Sequence, residues 1–527
     1  MNGAPAETFD AIVVGGGHNG LVAAAYLARA GRSVLVLERR EILGGATVTE
    51  AVWPGYAVST ASYVCSLLDP AIVRELDLAR FGYEAYRKDP ASFTPLPDGR
   101  SLLLGADPAR NAREIAAFEP DDVRGFAAFD AEATRLGALL ASAHRTADAR
   151  EVRFEDADWQ ILTGSAAALV ERYVATPVLQ ATLATDGLIG TDAGPRDRGT
   201  AYVLAHHHAG RALGVQGAWG FVRGGMGSIA QACASAARAA GAEIRVSSEV
   251  AAVEAPERVG GVATVVLRGG ERIRARAVLS NADPVRSFGL LDTGAVPAAI
   301  RVRLSTWRQR GVSLKLNLAL REPPNYTARP AAAGALAEHH RATIHVAPDL
   351  AYLQRAHDDL RVCGESTEPM LECFMQSPTD PSAAPPGRHV LSIFAQYYAF
   401  DRPEGAWTDL TRERAADRIV ATLARYAPNL AAAIEARQIL APPDIEARFG
   451  ILGGQIFHGE LLPGQVFTDR FASRTGVPGF YLCGSGAHPG GCVSGLPGRH
   501  AAGAVLEDDA ARLAPARGRA VGRRFPG

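Results

Sequence analysis

The start of the chain alternates short apolar runs with an alanine-rich segment. Residues 11–14 predict a buried parallel strand, residues 21–30 a helix, and residues 33–37 a second, β-branched strand. Gly31 stands where a glycine commonly ends a helix. A strand, a helix and a strand in this order are typical of an α/β fold with a parallel sheet.

Later segments extend this pattern. In residues 313–320, leucine alternates strictly with serine, lysine, asparagine and alanine, which predicts a strand with its leucines on one face. Residues 390–398 predict another strand. Residues 479–483 predict a strand that enters a glycine-rich loop over 484–491, and a helix is expected from about residue 493 through residue 506.

The loop between the first strand and the first helix has the spacing G-x-G-x-x-G. Gly15 permits the tight turn, Gly17 lets the backbone approach a pyrophosphate, and Gly20 lets the helix lie close to the sheet. Glu38, at the end of the second strand, can accept hydrogen bonds from an adenosine ribose. Because all these parts fall within about 30 residues, the sequence predicts dinucleotide binding rather than an ordinary glycine turn.

The residues after Glu38 favour FAD over NAD. Residues 39–47 contain the doublet Gly44-Gly45 and resemble the segment that runs along the pyrophosphate toward the flavin in flavoproteins of the glutathione-reductase and amine-oxidase type. An NAD-binding domain would normally proceed directly into its next helix. We therefore expect FAD as the cofactor.

A second glycine-rich turn competes with this interpretation. Residues 225–230 also fit G-x-G-x-x-A, and Glu249 follows about twenty residues later. The preceding residues 217–223 make a poor buried strand, so we interpret this turn as the entry to a helix over 228–240, followed by a strand that leads to Val250. A second, NAD-binding site is the alternative.

Length, composition and charge exclude several classes of protein. A chain of 527 residues is too long for one core, so we expect at least two domains. With 47% hydrophobic and 21% charged residues it is not a disordered chain, and a net charge of −1 argues against a nucleic-acid partner. Lysine occurs only at Lys88 and Lys315.

The six cysteines contain no C-x-x-C pair, so neither a zinc ribbon nor a dithiol redox centre is indicated. No run of about 18 uncharged apolar residues would span a bilayer. We expect a cytoplasmic protein without a transmembrane segment, and peripheral contact with a membrane and a homodimer both stay open.

Five segments make the chain similar to the phytoene desaturase-like branch of the FAD-dependent amine oxidase superfamily. They are FDAIVVGGGHNGLVAAAYLARAG, HHHAGRALGVQGAWGFVRGGMG, AVLSNADP, GGQIFHGEL and YLCGSGAHPGGCVSGLPGRHAA. The resemblance implies an α/β fold in which a Rossmann-like FAD-binding domain of the glutathione-reductase and amine-oxidase type is interleaved with an α+β substrate domain. It also implies hydride transfer from substrate carbon to flavin N5.

The resemblance assigns FAD contacts residue by residue. Those near the start of the chain are Gly15, Gly17, Asn19, Gly20, Glu38, Arg39, Gly44, Gly45 and Ala46, and Val250 would hold the adenine side. Those near the end are Gly484, Ser485, Gly486, Gly491, Cys492 and Val493. Cys492 departs from the family pattern, which has glycine there. Its side chain could tune the flavin face or simply pack, and a covalent thioether to the flavin is conceivable.

The resemblance also implies a discontinuous domain layout. Residues 1–75, 215–300 and 450–512 would form the FAD-binding domain, and residues 76–214 and 301–449 the substrate domain. Residues 513–527, with their arginines among proline and glycine, are expected to be a disordered basic tail, either solvated or in weak contact with an anionic surface.

Candidate catalytic residues are Lys315, His458 and His488. By strand and domain position, Lys315 resembles the lysine that amine oxidases hold near N5 through a water, with a lysine on a solvated strand face as the alternative. His458, with Glu460, and His488 are candidates for proton transfer or for structural hydrogen bonds. His206, His207 and His208 suggest a metal site, but no supporting carboxylate or cysteine stands at a suitable spacing, so no metal is expected.

Three functions fit the sequence. The first is FAD-dependent dehydrogenation of a hydrophobic small molecule, giving C=C, or C=N if the donor is an amine, with oxygen or a quinone as electron acceptor. The second is isomerisation or saturation of a polyene without net oxidation. The third is a non-catalytic binding protein, against which the complete phosphate loop, Glu38 and the C-terminal glycine loop argue.

Overall fold

Residues 7–513, the part of the chain that this computed structural model describes, form two seven-stranded sheets, two two-stranded ribbons and sixteen α-helices. The strands are β1 (Thr8–Val14), β2 (Val34–Leu37), β3 (Thr49–Glu50), β4 (Val58–Ser59), β5 (Ala85–Arg87), β6 (Ser92–Pro95), β7 (Ser101–Leu104), β8 (Gly220–Val222), β9 (Glu243–Arg245), β10 (Val250–Glu254), β11 (Ala263–Leu267), β12 (Arg272–Ser280), β13 (Ser313–Leu320), β14 (Thr343–Val346), β15 (Glu365–Phe374), β16 (His389–Tyr398), β17 (Ile434–Leu440) and β18 (Phe480–Leu482).

The helices are α1 (His18–Arg29), α2 (Pro70–Glu75), α3 (Pro108–Ala116), α4 (Asp122–Arg145), α5 (Asp156–Leu162), α6 (Ala166–Glu171), α7 (Pro177–Ala184), α8 (Thr200–His207), α9 (Gly227–Ala239), α10 (Pro284–Gly289), α11 (Ala298–Ser305), α12 (Leu350–Cys363), α13 (Asp409–Ala424), α14 (Leu430–Ala433), α15 (Pro442–Phe449) and α16 (Leu496–Leu513). None of them is long and apolar enough to cross a membrane.

The first sheet has the strand order β10-β11-β12-β1-β2-β9, and β18 also pairs with β12. β1 is parallel to both β12 and β2, and β2 is parallel to β9. Helices α1, α9 and α16 pack together beside this sheet, and their apolar residues form one core with β1 and β2. The predicted strand–helix–strand start of the chain and the α/β class are therefore confirmed.

The second sheet has the order β17-β13-β16-β15-β14-β6-β7, and its neighbouring strands are antiparallel except for β14 and β6, which are parallel. β13 alternates as expected, and Leu314, Leu316, Leu318 and Leu320 enter the largest core. Every residue of β13 is buried, including those opposite the leucines, because the second face of this sheet is also covered. The alternation thus predicted the strand but not the burial of its polar face.

Other elements show where local patterns misled. The histidine triplet spans a helix end, since His206 and His207 close α8 and His208 directly follows it. The last helix begins at Leu496, three residues later than expected, because Gly495 has a φ of 75° that interrupts a helix. Leu513, the first residue of the expected tail, is the last residue of α16, and residues 514–527 lie outside the described part of the chain. The turn at 225–230 does lead into a helix, α9.

Candidate functional site

A cavity of about 710 Å³ opens at the carboxyl ends of β1 and β2 and extends to the polar face of β13. Its size is that of a small-molecule site. At the first end its wall includes Val14, Gly15, Gly17, His18, Asn19, Glu38, Arg39, Gly44, Gly45, Ala46, Ser248, Val250 and Asn281. At the second end it includes Tyr63, Ile189, His207, Trp219, Lys315, Phe394, Ile456, Phe457, His458, Cys492 and Val493.

The loop after β1 is held by Glu38, which is buried at the end of β2. One carboxylate oxygen accepts the backbone N–H of Gly16 at 2.8 Å, and the other accepts that of Arg40 at 2.9 Å. A Cβ on Gly20 would overlap the carbonyl oxygen of Gly15, so glycine lets α1 approach the loop closely. The geometry gives Glu38 and Gly20 the positions that the glycine fingerprint predicts.

The segment after Glu38 folds back against this loop. The Gly44 N–H donates to the Gly16 carbonyl at 2.9 Å, and Gly44 and Gly45 both have positive φ. Arg39 lies on the cavity wall and donates to the carbonyl oxygens of Ala447 and Arg448 at the end of α15. The extension therefore forms part of the wall instead of proceeding into a helix.

Asn281, directly after β12, was missed as a site residue. Its Nδ2 donates to the Gly15 carbonyl at 3.2 Å and would lie 2.7 Å from a Cβ on Gly17. Its position next to the glycine loop follows from the parallel pairing of β12 with β1. The signal for it is a polar residue at the end of a buried strand, but the sequence does not show that this strand neighbours β1.

The C-terminal glycine loop lies against the start of α1. Asn19 Nδ2 donates to Ser485 Oγ at 3.3 Å, and Ser485, Cys492 and Val493 lie on the wall. Gly484, Gly486 and Gly491 lie behind them, where a Cβ would press on Asn281, Pro284 and Phe457 respectively. The buried guanidinium of Arg470, another residue that sequence reasoning missed, donates to the Ser485 carbonyl at 2.7 Å and so fixes the loop.

Cys492 has a φ of 69°, the left-handed conformation that glycine adopts most easily, which agrees with the glycine of the family pattern. Its Sγ lies 3.8 Å from His207 Nε2. Burial raises the pKa of the thiol to about 12, so the thiol stays protonated at neutral pH. A protonated thiol is a poor nucleophile, which argues against a thioether to the flavin.

Lys315 is 2% exposed, so the solvated-face alternative is wrong. Its Nζ has no hydrogen-bond partner among residues 7–513 and lies 3.6 Å from the centroid of the Tyr63 ring. Burial holds the pKa of Lys315 well below its usual value, although nearby Cys373 and Glu372 oppose this effect. The second end of the cavity therefore carries a desolvated amine among aromatic and aliphatic side chains.

The candidate histidines separate in the structure. His458 lies on the wall, its Nδ1 has no partner within the described residues, and burial lowers its pKa to about 3. His488 is not among the wall residues, because its Nε2 lies 3.0 Å from the Thr146 carbonyl and its ring stacks on His500. Glu460 faces a different cleft of about 540 Å³, beside Arg308.

His207 is the histidine of the triplet that reaches the cavity, and its Nδ1 lies 2.7 Å from the Asp186 carbonyl. Within residues 7–513, no three His, Cys, Asp or Glu side chains are arranged to hold a metal ion.

Comparison with known proteins decides the family. The model of the family described as flavin containing amine oxidoreductase matches residues 20–506. The chain belongs to the flavin-containing amine oxidoreductase family. The chain is 38% identical to pyridine nucleotide-disulfide oxidoreductase domain-containing protein 2 from Rattus norvegicus over 555 aligned positions. The alignment covers 96% of this chain and 95% of that protein.

A more distant relative and a solved structure extend the comparison. Phytoene desaturase (lycopene-forming) from a Paracoccus species is 25% identical over 94% of this chain and 97% of its own length. The solved structure of cyclohexylamine oxidase from Brevibacterium oxydans shares the fold, with a TM-score of 0.60 and 17% identity over 96% of this chain and all of that one. The predicted superfamily is thus confirmed.

FAD is the cofactor of this oxidoreductase. The first end of the cavity fits it, because the glycine loop, the start of α1 and Glu38 meet there, and Asn19 Oδ1 and His18 Nε2 have no partner among residues 7–513. Such groups suit a pyrophosphate and a ribose. The contacts that line the wall would therefore be direct, whereas Gly20, Gly484, Gly486 and Gly491 would shape the loops behind them.

Proposed function

We propose that this FAD-dependent oxidoreductase dehydrogenates a hydrophobic small molecule. Bound FAD supplies the hydride acceptor at flavin N5. Removal of a hydride from one substrate carbon and of a proton from the neighbouring atom leaves a C=C bond, or a C=N bond if that atom is nitrogen. Oxygen or a quinone would then take the electrons from the reduced cofactor.

The observation that supports this proposal most directly is the amine of Lys315, which has no hydrogen-bond partner among residues 7–513 and lies in an apolar part of the cavity wall. Tyr63, Phe394 and Trp219 offer ring surface, and Ile189, Ile456 and Phe457 offer further apolar surface. A hydrophobic substrate would replace water there, and its burial would be favourable. Because burial favours the neutral form of the Lys315 amine, that amine is suited to accept the substrate proton.

The same residues support amine oxidation as a second candidate. An aromatic wall beside a neutral lysine suits a neutral amine, because protonated substrate would bring an uncompensated charge into the cavity. The relatives include one named for desaturation of phytoene and one named for oxidation of cyclohexylamine, so both chemistries occur in similar proteins.

Anaerobic bleaching of the flavin tests the proposal. The purified, FAD-loaded protein is mixed with phytoene in detergent micelles, with a cyclic monoterpene, or with cyclohexylamine, and the flavin absorbance band is followed. Loss of the band with a hydrocarbon, together with a product two hydrogens poorer, supports desaturation. Loss only with the amine selects amine oxidation. If the flavin stays unbleached and the product is a rearranged polyene, desaturation and amine oxidation are both contradicted, and the isomerase alternative replaces them.

A further inference from the structure

Both lysines of the chain are buried close to one carboxyl group, that of Glu372. Lys315 and Lys88 are 2% and 6% exposed, and Glu372 is 5% exposed. Lysine is rarely buried unless a partner offsets its charge. Since the chain contains no third lysine, this arrangement is unlike the solvated role that lysine usually has at protein surfaces.

Strand register explains how the three residues meet. Lys315 on β13 pairs with Phe394 on β16, Phe394 pairs with Glu372 on β15, and Glu372 pairs with His345 on β14. Residues directly opposite each other on neighbouring strands share a face of the sheet. Lys315 and Glu372 therefore flank Phe394 from either side, on the face toward the cavity.

Lys88 lies over the next row of the same face. Its Nζ donates to Thr343 Oγ1 and lies 5.5 Å from the centroid of the Phe374 ring. Thr343 lies two residues before His345 on β14, and Phe374 lies two residues after Glu372 on β15. The Tyr63 ring, which lies on the cavity wall, packs against the other aromatic neighbour of this row, Phe374, with a centroid distance of 4.2 Å and an angle of 36° between the ring planes.

The other ionisable groups near Glu372 complete its surroundings. His345 Nδ1 lies 3.6 Å from Glu372 Oε1. A second carboxyl group, that of Asp186, is also near, and its Oδ2 lies 3.5 Å from His208 Nε2. Burial and Asp186 raise the pKa of Glu372 to about 8, although the two lysines oppose this effect. The groups that act on Glu372 or on the lysines beside it are Lys88, Lys315, Asp186, His345, Tyr63 and Cys373.

We propose that Glu372 is a positioning residue that acts through Lys315: its negative charge stabilises the ammonium form that Lys315 takes on when it accepts a proton from the substrate. The proton moves from the substrate atom to the Nζ lone pair, and the hydride leaves separately for flavin N5. Lys88 is a second cation beside the same carboxyl group, and its charge favours the carboxylate form that burial opposes. This role rests on the proposed function of Lys315.

The two-lysine composition provides a direct test that needs no substrate. The FAD-loaded protein is labelled with [13Cε]lysine, and the two signals are titrated with pH by NMR, with Lys88→Arg used to assign them. In Glu372→Gln, the midpoint of Lys315 should fall by about 1 pH unit, because a charge across one intervening strand is lost in a poorly polarisable interior. Glu368→Gln is the matched control, since Glu368 lies on the same strand and pairs with Arg425 at the surface.

The outcomes separate the inference from the proposed function. An unchanged Lys315 midpoint in Glu372→Gln would overturn the coupling, and so would an equal shift in Glu368→Gln. If Glu372→Gln fails to retain FAD, the double variant Glu372→Met/Lys88→Met supplies the uncharged site, because replacement of a whole buried ion pair by apolar residues of similar volume is commonly tolerated, whereas removal of one partner alone is not. Failure of every substrate to bleach the flavin would instead contradict the dehydrogenation and leave the titration result intact.

Discussion

The Nζ of Lys315 lies 3.6 Å from the centroid of the Tyr63 ring, and no carboxylate forms an ion pair with it within the described residues. The ring face offers the ammonium form a modest attraction, whereas burial penalises it more strongly. At the second end of the cavity, burial therefore favours the neutral amine over the ammonium form.

Replacement of Lys315 by methionine should separate stability from activity. Lys315→Met removes a desolvated amine without creating a large void, so we expect an unchanged or higher melting temperature and retention of FAD. Anaerobic flavin reduction by a bleaching substrate should slow by about 100-fold, because a proton acceptor is lost. Stopped-flow absorbance measures that rate.

Arg321→Met is the control for this variant, because Arg321 follows the same strand and is exposed. It should leave the rate of flavin reduction unchanged. Equal rates in Lys315→Met and the unmodified protein would remove Lys315 from the proton-transfer step.

Replacement of Glu38 by glutamine should weaken FAD binding. The carboxylate accepts two backbone N–H groups, and an amide would direct its NH₂ donor at one of them. We expect at least about a 10-fold rise in the FAD dissociation constant, equivalent to about 1.4 kcal/mol. Fluorescence titration of the apoprotein measures it. Glu41→Gln, which changes an exposed neighbour, should bind FAD normally, and equal losses in the two variants would contradict the role of Glu38.

Two glycines of α16 give a matched pair. A Cβ on Gly498 would overlap the Asn19 carbonyl, whereas a Cβ on Gly503 would meet no atom within 4 Å. Gly498→Ala should therefore push α16 away from α1, lower the melting temperature and weaken FAD binding through Asn19. Gly503→Ala should stabilise the protein by about 0.5–1 kcal/mol, since alanine favours the helix. Thermal unfolding checks both, and a tolerated Gly498→Ala would show that the helices can separate without cost.

Acid should destabilise the protein through buried histidines near α4, α8 and α16. His144, His206, His488 and His500 are buried. Burial lowers the pKa of His206 to about 3 and those of His488 and His500 to about 4, and it lowers the pKa of His144 strongly. Below pH 6.5 the unfolded chain binds protons at these histidines, whereas the native state does not. Their contribution to the free energy of unfolding is therefore fully present above pH 6.5 and decreases as pH falls toward 4.

Each such histidine should lower the free energy of unfolding by about 1.4 kcal/mol for each pH unit in this interval. Thermal unfolding between pH 7 and pH 4 measures the slope, and His206→Phe should make it shallower. A melting temperature independent of pH over this interval would show that these rings are already charged in the native protein.

The sequence by itself determined the local parts of the site. The glycine spacing, α1 and Glu38 all lie within one short stretch, so their geometry depends on turn conformation and helix formation that neighbouring residues control. The alternation in residues 313–320 likewise predicted β13, because side chains point to opposite faces of a strand at every second residue.

Only the tertiary structure decided which distant residues became neighbours. The parallel pairing of β12 with β1 brings Asn281 to the glycine loop, and the order β13-β16-β15 brings Glu372 to Lys315. The same packing removes His488 from the cavity wall and buries the polar face of β13. Strand order and register depend on the combined burial of many side chains across the whole chain, so no local pattern in one sequence reveals them.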